Sequence, residues 1–237
     1  GFGTLLPVDN KRINATTRVA SWSNTEALNA GTIKYTATAG GDSGTSYPFT
    51  LDASRKAAGN QTWDVGGVLQ TGSTYDLILV GTDLAGNAAS STTVNHVYDL
   101  TAPTFAPVTP DNGTKIGPNT RTVAWSNNEL LSAGTVRYVA QTSVGGESSG
   151  TAHSSDMGTY GKLGQGNKTL DVTGLVNGNT YDLEVFGTDD AGNTGSTVTK
   201  TGLDYDDAIP NFGSVIPLSS SNCNSNSIKV TITLSEI

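Results

Sequence analysis

The chain has 237 residues, of which 35% are hydrophobic, 7% aromatic and 14% charged, with 29 glycines, one cysteine and a net charge of −8. That length suits two ordinary domains of about 100 to 150 residues or one large one, and the abundance of Gly, Ser and Thr favours short strands and turns over helices. The acidic balance excludes nucleic acid as a partner, no apolar run approaches the roughly 18 residues needed for membrane insertion, and the lone Cys223 excludes a disulfide framework or a multi-cysteine metal site.

Taken in chain order, the patterning predicts strands over 2–8, 16–24, 31–38, a weak one over 46–52, then 61–68, 74–83 and 88–98. Seven strands in about 100 residues predict a sandwich of two sheets. In Tyr75, Leu77 and Leu79 every second residue is apolar, so one face of that strand looks into a core. Trp22 falls on an inward strand position, and Trp63 reads as core too. The spacing Leu69, Gly72, Tyr75 has the form of a tyrosine corner, and Gly86 sits where a hairpin needs a left-handed residue.

The pattern then starts again. Arg18-Val-Ala-Ser-Trp22-Ser-Asn24 returns as Arg121-Thr-Val-Ala-Trp125-Ser-Asn127, and Ala30-Gly-Thr-Ile-Lys-Tyr35 as Ala133-Gly-Thr-Val-Arg-Tyr138. Leu69, Gly72 and Tyr75 return as Leu175, Gly178 and Tyr181, and the turn Thr82–Asn87 as Thr188–Asn193, with Gly192 in place of Gly86. A third copy opens where Tyr98-Asp-Leu-Thr-Ala-Pro103 is matched by Tyr205-Asp-Asp-Ala-Ile-Pro210, with Phe212 following as Phe105 does. Cys223 aligns with Ile13 and Ile116, which reads as a small buried hydrophobe, and Ile232 takes the place of Trp22 and Trp125, implying an apolar pocket. The expected organisation is module 1 over 1–102, module 2 over 103–209, and the first two strands of an incomplete module 3 over 210–237.

The Asp-x-Ala-Gly-Asn hairpin, the Asp-Leu-Thr-Ala-Pro linker, and the Val-x-x-Trp strand followed by a Glu resemble the bacterial immunoglobulin-like repeats of large extracellular proteins, related in shape to fibronectin type III modules. The resemblance covers essentially the whole chain. It implies an all-β fold of tandem seven-stranded Ig-like, Fn3-like Greek-key sandwiches, the third truncated. It also implies a non-enzymatic stalk segment of an extracellular surface protein or adhesin, with junctions often stiffened by Ca2+.

In such a sandwich the loop after the second strand and the last hairpin share the N-terminal pole, where the preceding linker enters. For the first junction these segments carry Asp99, Glu129, Asp189, Asp190 and Asn193, and Thr101 adds a hydroxyl or carbonyl oxygen. Calcium takes six to eight oxygens in irregular geometry, and this is a hard-oxygen set. The pole of module 1 offers Glu26, Asp83 and Asn87, with its linker Asp upstream of Gly1. The second junction offers Asp206, Asp207 and Glu236 without a hairpin. The plainer alternative is that Asp189 and Asn193 serve turn backbone and that Glu26, Glu129 and Glu236 are solvated.

His96 and His153 occupy unrelated positions of the two copies, leaving no shared triad base, and no Gly-rich phosphate loop opens a helix, so no catalysis is expected. Expected partners are the neighbouring Ig-like modules, other copies of the chain in a filament, or a host or surface ligand. Two further functions stay open. A self-assembling filament subunit would use the variable segments Gly40–Asn60 and Ser143–Asn167, or strand addition at the incomplete third module. A carbohydrate-binding module would need aromatics clustered outward, which the sequence does not display. The start at Gly1, without a start methionine or signal peptide, reads as a processed or excised piece. Four Asn-x-Thr sequons stand at Asn14, Asn60, Asn112 and Asn167.

Overall fold

The computed structural model describes residues 1–141, 147–216 and 230–234. The first half contains β1 (Ala20–Asn24), β2 (Leu28–Ala39), β3 (Ser46–Thr50), the single-turn helix α1 (Ala53–Lys56), β4 (Gly59–Trp63), β5 (Thr74–Asp83) and β6 (Ala88–Val97). β1 pairs with β4, and a second antiparallel sheet runs in the order β3-β2-β5-β6. Between the sheets lie Trp22, Ile33, Tyr35, Tyr75, Leu77, Leu79 and Tyr98, none more than 3% exposed. Burying each such side chain stabilises by about 1.5–3 kcal/mol, so alternation along β5 suffices to bind the strand to the opposite sheet.

Three predicted strands are shorter than expected, each for a local reason. The segment 2–8 joins β1 through only two isolated bridges, Phe2 to Asn24 and Leu6 to Ser21; Pro7 lacks an N–H for a continuous ladder. The segment 16–24 becomes strand only at Ala20, because the Asn14 carboxamide oxygen accepts from the N–H groups of Thr16 and Thr17 and curls the chain first. The segment 61–68 ends at Trp63, where Asp64 accepts from the Gly66 N–H and Gly66 turns at φ +75°.

The second half repeats this plan with β7 (Phe105–Thr109), β8 (Lys115–Ile116), β9 (Thr122–Asn127), β10 (Leu131–Ala140), β11 (Ala152–Asp156), β12 (Gly166–Asp171), β13 (Thr180–Asp189) and β14 (Val198–Tyr205). Its sheets run β12-β9-β7 and β11-β10-β13-β14-β8, with β8 joining β14 in parallel. The parallel bridge of Ile13 to Tyr98 is the same feature in the first half. Trp125, Val136, Tyr138, Tyr181, Leu183 and Val185 form a second core, none of them more than 2% exposed. The fold is an all-β, Ig-like and Fn3-like Greek-key sandwich.

Tyrosine hydroxyls pin both cores. Tyr75 accepts from the Gln70 N–H and Tyr181 from the Val176 N–H, each at 2.8 Å, so the predicted corner forms twice. A second pair of ties was not foreseen: Tyr35 donates to the Arg18 carbonyl at 2.7 Å and Tyr138 to the Arg121 carbonyl at 3.0 Å.

Beyond the second core, β15 (Phe212–Ile216) pairs antiparallel with β16 (Thr231–Leu234), as β7 does with β9. Ile232 is 51% exposed, against the expected apolar pocket, because no further strand among the described residues faces this two-stranded sheet. Cys223 and Glu236 lie outside the described residues.

Candidate metal centre

Three segments distant in sequence meet at the end of the second sandwich. Asp99 follows β6 and is held by its own N–H, which donates to the Ile13 carbonyl at 2.9 Å. Glu129 lies in the turn from β9 to β10. That turn is clamped by the Asn127 amide, which donates to the carbonyls of Glu129 at 2.6 Å and Gly164 at 3.0 Å. Asp189 ends β13. One carboxylate oxygen from each of Asp99, Glu129 and Asp189 lies within 4.8 Å of the other two, with Asp99 and Asp189 buried and Glu129 half-buried.

The hairpin that positions Asp189 is a local product of its sequence. Asp189 Oδ1 accepts from the N–H groups of Gly192 and Asn193 at 2.8 and 2.9 Å, and Oδ2 accepts from Asn193 Nδ2 at 2.9 Å. Gly192 makes the turn at φ +94°, a conformation that disfavours any side chain. Asn193 Nδ2 also donates to the carbonyls of Asp99 at 2.9 Å and Thr101 at 3.4 Å, so the hairpin grips the linker. The turn-serving role and the clustering therefore coexist in the same residues.

The electrostatics are unbalanced. Asp99 Oδ1 accepts from the Thr101 N–H at 2.9 Å and Oδ2 from Arg12 at 2.8 Å. Glu129 Oε1, by contrast, is buried with no hydrogen-bond partner among the described residues. Burial, and then the charges of Asp189 and Asp99, push the Glu129 carboxyl above its usual range, with Arg12 opposing. A buried oxygen left bare beside two further carboxylates is a donor set that fits a hard cation.

Other expected ligands are dispersed. Asp190 is exposed and lies outside the triad, since its neighbour Asp189 takes the inward position and successive residues alternate. Glu26 is exposed and pairs with the Gly1 ammonium at 3.2 Å. Asp83 and Asn87 bond to each other at 2.8 Å, and the Asn87 amide is the first cause holding the Asp83 carboxyl below its usual range. Asp206 accepts from the Ala208 N–H at 3.0 Å, the Asp207 N–H donates to Asn177 at 3.0 Å, and both aspartates are exposed.

Sequence reasoning missed the contribution of the first sandwich. Arg12, Asn14 and Thr17 come from its far pole; Asn14 Nδ2 donates to Asn193 Oδ1 at 3.3 Å, and Thr17 Oγ1 reaches the Ala191 carbonyl at 3.5 Å. Asn14 is only 6% exposed, so its sequon is closed off at this joint. Of the three only Asn14 carries a motif, its sequon, and that motif does not point to a contact with the hairpin.

A groove of about 680 Å³ lies at the open edge of the first sandwich beside Tyr47, Phe49 and Trp63. This aromatic cluster was not anticipated. Its ring faces are used internally: Phe49 stacks on Trp63 with centroids 5.9 Å apart and lies 5.3 Å from the Arg55 guanidinium carbon.

No family model and no curated protein sequence matches this chain. Among solved structures it is similar to the fibronectin(III)-like modules of Clostridium thermocellum CbhA, at 14% identity and TM-score 0.43, over 86% of this chain and 95% of that one. It is also similar to a 1.5-MDa bacterial ice-binding adhesin, at 16% identity and TM-score 0.35, over 91% and 68% of the two chains. A Ca2+-stabilized adhesin of an Antarctic bacterium matches at 23% identity and TM-score 0.32, over 92% of this chain and 52% of its own length. No helix among the described residues is long and apolar enough to cross a membrane.

Proposed function

We propose that this chain is a non-enzymatic stalk segment of a long extracellular adhesin or surface protein. Its modules would be 1–102 and 103–209, followed by the opening of a third over 210–237, with the first junction stiffened by Ca2+. The observation that carries the reading is the meeting of Asp99, Glu129 and Asp189 around the bare Glu129 Oε1. Asp99 belongs to the linker and the other two to the following sandwich, so an ion held by all three would cross-link linker to module. Asn193 would assist by orienting Asp189 and the linker carbonyls.

An ion here would supply electrostatic attraction where three carboxylates otherwise repel. Arg12 already covers part of that charge, which favours a modest affinity suited to the calcium levels outside cells, where modules bind at about 10⁻⁴–10⁻³ M. Repeated sandwiches in series give reach, and fixing each joint turns a hinged chain into a strut.

The test is small-angle scattering of residues 1–237, titrated with calcium and then chelator, beside Asp99→Ala. The parent is expected to lengthen and sharpen its maximum dimension with calcium, and the variant not to respond. Identical dimensions in all four samples would exclude an ion-stiffened stalk.

A further inference from the structure

We propose that the first junction carries a second fastening that needs no ion. The pole bearing Arg12, Asn14 and Thr17 is a docking surface for a hairpin with Asn at the place of Asn193, and the corresponding pole of the second sandwich is not. This inference rests on the tandem-stalk reading, but not on calcium.

The two poles can be matched bond by bond. Ile13 bridges Tyr98 in parallel, and Ile116 pairs with Tyr205 in the same way. The Asn14 N–H donates to Thr17 Oγ1 at 2.8 Å, and the Gly117 N–H donates to Thr120 Oγ1 at 2.8 Å. The Arg18 N–H reaches the Asn14 carbonyl at 3.1 Å, and the Arg121 N–H reaches the Gly117 carbonyl at 3.0 Å. Even the start of the linker is shared, since the N–H groups of Asp99 and Asp206 donate to Ile13 and Ile116, each at 2.9 Å. Arg12, Asn14 and Thr17 thus correspond to Lys115, Gly117 and Thr120.

On this common frame the side chains differ at the decisive place. The Asn14 carboxamide oxygen accepts from the N–H groups of Thr16 at 2.9 Å and Thr17 at 3.0 Å, which fixes the amide with its nitrogen toward the incoming hairpin. That nitrogen meets Asn193 Oδ1 at 3.3 Å, while Asn193 Nδ2 holds the Asp99 carbonyl at 2.9 Å. One amide thus links the first sandwich to the hairpin, and the next links the hairpin to the linker. Approach is close: a Cβ on Gly192 would sit 3.3 Å from Asn14 Nδ2. Arg12 completes the joint by holding Asp99 at 2.8 Å.

At the second pole Gly117 offers no side chain. A Cβ there would lie 2.9 Å from the Asp206 carbonyl oxygen, so the departing linker occupies the space from which the Asn14 side chain projects in the first pole. An amide pair of this kind cannot form there without moving the linker. Successive joints of the array are therefore built differently, one latched by protein contacts and the next without that latch.

Amide residual dipolar couplings of the full chain test this in EGTA and in excess calcium, for the parent, Asn14→Gly and Arg12→Met. In EGTA the parent is expected to give alignment tensors for residues 20–97 and 122–205 that differ in magnitude by less than about twofold, and calcium to merge them into one. Asn14→Gly, which installs the residue of the second pole, is expected to need two tensors differing by about twofold or more in magnitude, as for independently moving domains. Dispersed amide signals from both cores confirm folding, and Arg12→Met gives a second disruption that leaves the Asn14 loop intact. A parent whose two tensors in EGTA differ as much as those of Asn14→Gly, or two variants that both match the parent, would overturn the latch. Calcium restoring a single tensor in Asn14→Gly supports both fastenings; a latch present in EGTA with no response to calcium leaves it standing and removes the ion.

Discussion

Arg12 donates from Nη2 to Asp99 Oδ2 at 2.8 Å, across 87 residues of sequence, and so places a positive charge against a three-carboxylate cluster. Like the proposed ion, it neutralises Asp99, and the two compete for the same charge. Arg12→Met is therefore expected to raise calcium affinity about two- to fivefold, the range for a partly exposed charge pair. Calorimetric titration checks this, and unchanged or weaker binding would show that the guanidinium does not compete.

The raised Glu129 carboxyl gives a pH signature. A folded value above the unfolded one means that the folded chain holds this proton more tightly. Its contribution to stability is full below the unfolded range and is lost as pH rises through the raised value. Ion-free Glu129→Gln should therefore melt higher than the parent near neutrality and converge with it in acid. Calcium binding by the parent should weaken as acid protonates Glu129. Parallel melting profiles across pH 4 to 8 would contradict the assignment.

The two core tryptophans are equally buried but differently bonded. Trp22 Nε1 donates to Asn24 Oδ1 at 2.9 Å, whereas Trp125 Nε1 and Asn127 Oδ1 are buried without partners among the described residues. Replacing Trp22 by Phe orphans an acceptor; replacing Trp125 removes a donor that is already bare. Both changes should destabilise by loss of packing, with Trp22→Phe costing about 1 kcal/mol more. Denaturant melts of the two variants test this, and equal losses would refute it.

The corner tyrosines meet different acids. Tyr75 donates to Asp42 at 2.6 Å, and Tyr181 donates to Glu147, which also accepts from Asn179 Nδ2 at 2.8 Å and pairs with His153. Burial pushes the Glu147 carboxyl up, but the bonds from Tyr181, His153 and Asn179 outweigh it and hold the group below its usual range. The stability it contributes is present above the unfolded carboxylate value and is lost as pH falls through the depressed one. Tyr181→Phe should cost about 1–3 kcal/mol at neutral pH and less in strong acid. A penalty independent of pH would mean that Glu147 is not the coupled group.

In the first core, burial is the leading cause holding His96 below the usual histidine range, and the residue is fully buried. Folding then opposes its protonation. The stability it contributes is present above the unfolded value of about 6.5 and is lost as pH falls below it. The first sandwich should soften between pH 7 and 5 in the parent but not in His96→Phe, as read by near-ultraviolet circular dichroism.

Short-range order was legible in the residues alone. Alternation along Tyr75, Leu77 and Leu79 set the buried face, Gly86 and Gly192 marked the left-handed turns, and the spacing Leu69, Gly72, Tyr75 announced the corner, because each depends on neighbours a few positions away. The topology expected of a Greek-key sandwich brought Asp99, Glu129 and Asp189 onto one pole before any distance was known. Only the tertiary structure decided that Asp190 faces away, that Glu129 keeps a bare oxygen, and that Arg12 and Asn14 enter the joint from the preceding sandwich. Those outcomes depend on how two folded bodies approach, and the groups that meet there are separated by up to 179 residues, a range over which neither periodicity nor turn chemistry carries information.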